Sequence, residues 1–222
     1  MYKEKVVMSW SGGKDSSLAL HALLGSMKYD VKLLLTTVTK DYGRISMHGV
    51  REELLRKQSQ ALGIPLDIAY ISKNANNSEY ESKMREKVEA YKSMNIRKVA
   101  FGDIFLQDVR EYRESRMSKA GMECLFPIWG ANTKELAKEL IRMGFKAILC
   151  TVDPRVLSKD FAGREFSEDL LEKLPDTVDP CGEKGEFHTF VYDGPDFQEP
   201  IRVRVGEIVL RDNFYFADIV PV

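Results

Sequence analysis

The residues best suited to chemistry lie near the amino terminus, in the string Ser11-Gly12-Gly13-Lys14-Asp15-Ser16. Glycine reaches backbone angles closed to other residues and lets the chain approach a ligand closely. A helix starting directly after the glycines presents N–H groups and the positive end of its dipole, which together attract an anion. Ser9 closes the strand before the loop, Ser11 and Ser16 add hydroxyl donors, and Lys14 adds a charge. The spacing differs from a Walker A loop, since the lysine follows Gly-Gly directly and Asp15 follows it. It also lacks the G-x-G-x-x-G of a dinucleotide fingerprint. The bland alternative is a tight strand-to-helix turn with Asp15 or Ser16 as the helix cap. The full string, set between an apolar strand and a helix, favours a phosphate site.

Three further clusters stand where a ligand crevice should open. His48-Gly49-Val50-Arg51 opens a helix after the second strand, so His48 and Arg51 are expected to face the same mouth; the alternative is a solvated helix start. Gly102-Asp103 ends the fourth strand, and Gln107, Arg110 and Arg113 follow on a polar helix. Asp103 or Asp108 could ligate Mg²⁺ through water, as hard oxygen ligands do, and Asp15 is a further candidate. Arg110 and Arg113 suit phosphate or carboxylate, although pairs such as Arg110 with Glu114 also stabilise a helix surface. The third cluster is Asp179-Pro180-Cys181-Gly182-Glu183-Lys184-Gly185-Glu186-Phe187-His188. Glu183, Glu186 and His188 could hold an amine-bearing substrate or act as a base near neutral pH. A hairpin turn with solvated charges is the competing reading.

The elements that must position these groups alternate. Val6-Val7-Met8, Val31 to Val38, Leu66 to Ile71, Val99-Ala100-Phe101 and Leu125 to Trp129 read as strands. Between them, Leu20, Leu23, Leu24 and Met27 follow a helical period, as do Val50, Leu54, Leu55, Ala61 and Leu62, and Tyr80, Met84, Val88 and Tyr91. A polar helix is expected over 107–119. This pattern predicts an α/β fold with a doubly wound parallel sheet, whose ligands sit at the carboxyl ends of its strands. After another helix (Leu136 to Ile141) and the strand Ala147 to Val152, the chain turns loop-rich. It ends in antiparallel segments, Ile201 to Val205, Ile208 to Leu210 and Phe214 to Ile219, with Asp212-Asn213 as a turn. A domain boundary is placed near residue 130, giving a 1–130 phosphate-binding domain and a smaller α+β domain over 131–222.

The bulk numbers narrow the class. The chain has 222 residues, 44% hydrophobic and 30% charged, with net charge −1. That balance gives no electrostatic case for a DNA or membrane binder. Cys124, Cys150 and Cys181 are scattered, which argues for reduced thiols and against a disulfide framework or zinc knuckle. No signal or transmembrane segment is visible, so a cytoplasmic location is expected. The apolar C-terminal hairpin could support a homodimer.

The string S-G-G-K-D-S after the first strand resembles the PP-loop of the N-type ATP-pyrophosphatases. The pair S-G-G-K-D-S and G-E-K-G-E-F-H-T-F, with F-G-D-I between, resembles the diphthine–ammonia ligase family over nearly the whole chain. The form G-E-x-G-E-F-H-T-F-V-Y-D-G-P, with F-G-D-I-F-L-Q-D-V-R, is most similar to its shorter bacterial relatives of unassigned role. The resemblance implies ATP cleaved between its α- and β-phosphates with Mg²⁺, an adenylated carboxylate, and attack by ammonia or an amine. The acceptor would be a small molecule or a modified protein side chain. Ser9, Ser11, Gly12, Gly13, Lys14, Asp15, Ser16, Gly102 and Asp103 would bind ATP. His48, Arg51, Gln107, Arg110, Arg113, Glu183 and Glu186 would bind substrate. Lys14, Asp15, Glu183, Glu186 and His188 would be catalytic. Two other readings compete: tRNA thiolation, disfavoured by the near-neutral charge and the lack of a partner for Cys181, and a non-catalytic nucleotide-binding module.

Overall fold

The computed structural model describes residues 2–45, 48–73, 75 and 77–222. Strand β1 (Glu4–Ser9) sets the layering. Successive side chains of a strand point to opposite faces, and Val6, Val7 and Met8 are all fully buried. Both faces therefore need a cover. Helices α1 (Lys14–Gly25) and α2 (Glu52–Leu62) bring Leu18, Leu20, Leu23, Leu54 and Leu55 against Val6 and Met8. Helix α3 (Asn77–Ser93) brings Val88 and Tyr91 to the opposite face, where they join Val7, Leu35 and Val99.

Strand β2 (Tyr29–Thr39) runs parallel to β1 on one edge and to β4 (Leu66–Ile71) on the other. On the far side of β1 lie β5 (Lys98–Ala100) and β6 (Glu123–Leu125), both parallel. The exception to parallel pairing is β3 (Arg44–Ile45), a short antiparallel strand on Val38 and Thr39, beyond the point where β1 stops. The expected strand at 125–129 is shorter than its apolar residues suggest. It ends at Leu125, and residues 127–130 form a turn in which Gly130 takes φ 76°. Helix α4 (Gln107–Lys119) lies where the polar run predicts, and none of its residues is buried.

Helix α5 (Thr133–Arg142), capped by the Asn132 side chain on the Glu135 N–H, leads into a second sheet. Its strands are β7 (Lys146–Val152), β8 (Phe187–Asp193), β9 (Val203–Arg211) and β10 (Phe214–Pro221), in the antiparallel order β8-β7-β10-β9. Asp212 and Asn213 take φ 50° and 64°, the left-handed pair that a two-residue type I′ hairpin requires. The loop-rich stretch expected after Pro154 holds β8 and the short helix α6 (Glu168–Lys173). The two segments read between 201 and 210 form the single strand β9 from Val203 onward.

The second sheet does not have a core of its own. Ala147, Leu149, Phe187, Phe190 and Ile219 belong to the cluster that holds Val6, Met8 and Leu55. The loop after β1 is thus packed between the two sheets. Among the described residues no helix is long and apolar enough to cross a membrane, and the three cysteines are free thiols.

Candidate functional site

The loop begins as β1 runs out. The Trp10 N–H donates to the Leu35 carbonyl at 2.7 Å, and its buried indole donates to Gln58 Oε1 at 2.9 Å. Gly12 then turns with φ 77°, where a Cβ would lie 2.8 Å from Gln58 Oε1. Gly13 is the N-cap of α1 and has no side chain to cap that helix end. The alternative of a cap by Asp15 or Ser16 is not realised: Ser16 Oγ and Ser17 Oγ donate back to the Gly13 carbonyl, at 2.9 and 3.0 Å. Ser11 Oγ lies 3.1 Å from Ser16 Oγ and accepts from the Gly13 N–H at 3.3 Å.

The far side of the loop rests on β8. The Val191 N–H donates to the Gly12 carbonyl at 2.9 Å, and Thr189 Oγ1 accepts from the Lys14 N–H at 3.0 Å. Gln58, fully buried on α2, ties the parts together: its Nε2 donates to Gly12 O at 2.9 Å and to Val191 O at 2.6 Å. Gln58 and Thr189 were not singled out in the sequence. A signal for Gln58 existed, since a glutamine stands among Leu54, Leu55, Ala61 and Leu62 on the apolar face of α2. Every polar atom of its amide is used, which is what burial demands.

A cavity of about 980 Å³ opens at the carboxyl ends of β1, β2 and β5. Ser9, Ser11, Asp15, Ser16, Gly102 and Asp103 line it from the parallel sheet; His48, Glu183 and His188 close it. Gly102 sits so tightly on the loop that a Cβ would come within 2.8 Å of the Asp15 backbone. Asp15 Oδ1 is buried with no hydrogen-bond partner. Asp103 Oδ1 accepts from Arg113 Nη2 at 3.1 Å. Arg113 Nε also lies 2.6 Å from Asp103 Oδ2, but too obliquely for a hydrogen bond. The Arg113 guanidinium stacks 4.4 Å from the Phe101 ring centroid.

Glu183 reaches across from the second half. Its Oε1 accepts from the Ile104 N–H at 2.7 Å and, more weakly, from Phe105 N–H at 3.4 Å. Burial, reinforced by the Asp15 and Asp103 charges and opposed by those two bonds, raises its carboxyl to about 7. The His188 ring stacks on His48 with centroids 4.4 Å apart, and its Nε2 is buried without a partner. Burial, with Lys14 nearby, lowers the His188 pKa to about 4, so the ring is neutral at neutral pH.

Seven of the expected ATP- and substrate-binding residues do not line the cavity: Gly12 and Gly13, which form the turn behind it, and five whose side chains are engaged elsewhere. Lys14 does not line the cavity; its Nζ donates to Asp15 Oδ2 at 2.9 Å and to the Cys181 carbonyl. Glu186 is buried and accepts from the Asp179 and Lys184 N–H groups, both at 3.0 Å, so it closes its own loop. Arg51 faces the C-terminal hairpin, where it and Arg44 hold Asp218 at 2.6 and 2.9 Å. Gln107 donates to Glu111 on the exposed face of α4. Arg110 pairs with Glu114 at 2.8 Å and lies over Phe126 and Trp129. Local helix and loop partners hold Glu186, Gln107 and Arg110, whereas partners distant in sequence hold Lys14 and Arg51.

Among the described residues no three His, Cys, Asp or Glu side chains are placed to cage a metal. The orphan Asp15 Oδ1 fits the other mode of Mg²⁺ binding, one carboxylate with waters and substrate phosphates. Asp103 is committed to Arg113.

Residues 4–124 match the family model described as the diphthamide synthase N-terminal domain, and residues 132–220 match the diphthamide synthase C-terminal domain. The chain belongs to the diphthamide synthase family. Curated relatives agree at modest identity. The diphthine–ammonia ligase of Schizosaccharomyces pombe is 25% identical over 92% of this chain and 37% of its own length. That of Danio rerio is 26% identical over 75% of this chain and 66% of its own. The mouse protein of the same name is 28% identical over 56% and 48%, respectively. The chain therefore spans only about one to two thirds of the length of these diphthamide synthase relatives. The two family models part between residues 124 and 132, the segment that leaves the parallel sheet for α5.

Proposed function

We propose that this chain is an AMP-forming, ATP-dependent ligase that activates a carboxylate for amidation by ammonia or an amine, as the names of its relatives suggest. Residues 1–130 would form the ATP half and residues 131–222 the acceptor half. The observation that carries this reading is a single cavity bounded by the start of α1, at Asp15 and Ser16, on one side and by Glu183 and His188 on the other. Phosphate oxygens would meet the amides of α1 from Asp15 onward, the Lys14 N–H being held by Thr189, with the hydroxyls of Ser11 and Ser16, and Ser9 would flank them. Charge neutralisation there lowers the barrier for departure of pyrophosphate. Mg²⁺ bound through Asp15 would offset phosphate charge. Gly102 keeps the Asp15 backbone in place, and the Asp103–Arg113 pair borders the space for the reacting carboxylate. Glu183, with a carboxyl near 7, can take the proton that ammonium must lose before it attacks.

The chain should release AMP and pyrophosphate from ATP when given Mg²⁺, ammonium and a diphthine-bearing acceptor. ADP as the product would exclude cleavage between the α- and β-phosphates. ATP bound but never turned over, with acceptor present, would favour the non-catalytic module. A thiolation role for Cys181 is opposed by its setting. Burial raises its thiol to about 12, and Sγ donates to the Thr133 carbonyl at 3.3 Å, so little thiolate forms. Cys181→Ser should keep full activity.

A further inference from the structure

The geometry points to Lys14 as a positioning residue that ties the phosphate loop to the Cys181–Glu183 turn, and not as a phosphate ligand. Its side chain is only 2% exposed. The ammonium has two acceptors, Asp15 Oδ2 and the Cys181 carbonyl, and two aromatic neighbours, with the Phe187 and Phe166 centroids at 5.2 and 5.8 Å. Carboxylate, carbonyl and ring faces together form a closed cation site. The backbone N–H of the same residue is bound by Thr189 Oγ1, so both ends of Lys14 are held by the second half of the chain.

The contact continues through the turn. Two residues after Cys181, Glu183 Oε1 holds the Ile104 and Phe105 N–H groups at the end of β5. Asp15, with one oxygen taken by Lys14, keeps the other without a partner at the cavity wall. Lys14 thus fixes which oxygen Asp15 presents and holds the segment that carries Glu183. The part of this inference that concerns catalysis rests on the ligase reading; the structural tie does not.

Two measurements separate a tie from a phosphate contact. In Lys14→Met, a side chain of similar length that still packs on aromatic rings, amide hydrogen exchange should speed up at residues 102–106 and 181–187 without any ligand. The same variant should bind ATP in EDTA within about threefold of the wild type, whereas losing a charged phosphate contact would weaken binding by about tenfold or more. Unchanged exchange in those segments overturns the proposal, as does a tenfold loss of ATP affinity. The second measurement needs no variant. The Lys14 ammonium resonance of the ¹⁵N-lysine-labelled wild-type chain should be protected from solvent and stay in place on adding pyrophosphate. A large shift on pyrophosphate, or a rapidly exchanging ammonium, also overturns it. If the chain binds no ATP but the exchange and resonance results hold, the ligase reading fails and the tie stands.

Discussion

The loop at 11–16 and the loop at 179–188 border one cavity but are built on different principles. The first is a backbone object. Its turn is set by Gly12, its helix start is left open by Gly13, and its hydroxyls bond to its own atoms. The second is held by side chains. Asp179 accepts from the Cys181 N–H, Glu186 from Asp179 and Lys184, and Glu183 reaches to β5. A string of acids and a histidine therefore says little by itself. Of Glu183, Glu186 and His188, the second serves its own loop while the others reach the cavity.

Breaking the backbone loop should have the largest effect. Gly102→Ala places a methyl within 2.8 Å of the Asp15 backbone. Pyrophosphate release should fall about 100-fold, the scale for losing oriented donors at a developing charge. A fall of less than threefold, in a steady-state assay on folded protein, would mean the loop does not need that seat. Next comes the joint between the two loops. Gln58→Leu strands the Trp10 indole and the Val191 carbonyl, each a buried polar group. Urea unfolding should show a loss of about 2–4 kcal/mol; a change under 1 kcal/mol would show that water can replace the amide.

The side-chain loop should answer to pH through Glu183 and His188. The folded-state pKa of Glu183, about 7, lies above its ordinary 4.5. The folded state then binds the extra proton between those values, so this group's contribution is present below pH 4.5 and lost as pH rises through 7. His188 runs the other way. Its pKa of about 4 lies below its ordinary 6.5, so its contribution is present above 6.5 and lost as pH falls through 4. Thermal melts from pH 5 to 8 should show Glu183→Gln gaining stability relative to wild type as pH rises. Parallel curves for the two proteins would place Glu183 in an ordinary environment. The smallest effect belongs outside both loops. The half-exposed Arg51–Asp218 pair should be worth about 0.5 kcal/mol, and Arg51→Ala should leave ATP affinity unchanged. An affinity loss above tenfold would return Arg51 to the site.

Legibility in the sequence follows the range of the interactions. Leu66–Ile71 was readable because Gly63 and Pro65 stop α2 and a short, mostly apolar run follows, which pairs with β2 at the edge of the sheet. Helix α4 was readable from its i,i+4 charges although nothing on it is buried. Strand β8 was not, because Phe187, Thr189 and Val191 alternate with His188, Phe190 and Tyr192. Both sets are mostly apolar, and the two-residue period is lost beside Gly182 and Gly185. The loop at 11–16 could be found because its characteristic residue types fall in one six-residue string, although Gln58, Thr189 and Val191 hold it from far along the chain. The environment of Lys14 could not, because the Cys181 carbonyl is 167 positions away. Arg51 was misplaced for the same reason: Asp218 is equally distant in sequence.

The hydrogen bonds from Val191 and Gln58 to the Gly12 carbonyl also bear on how the molecule could be divided. A cut near residue 130 falls in a turn and leaves the parallel sheet whole. The fragment 1–130 would nevertheless lose the strand on which its phosphate loop lies and would bare Leu18, Leu20 and Leu55 to water. A module transplanted from residues 1–130 would have to carry strand β8 and the Cys181 turn with it.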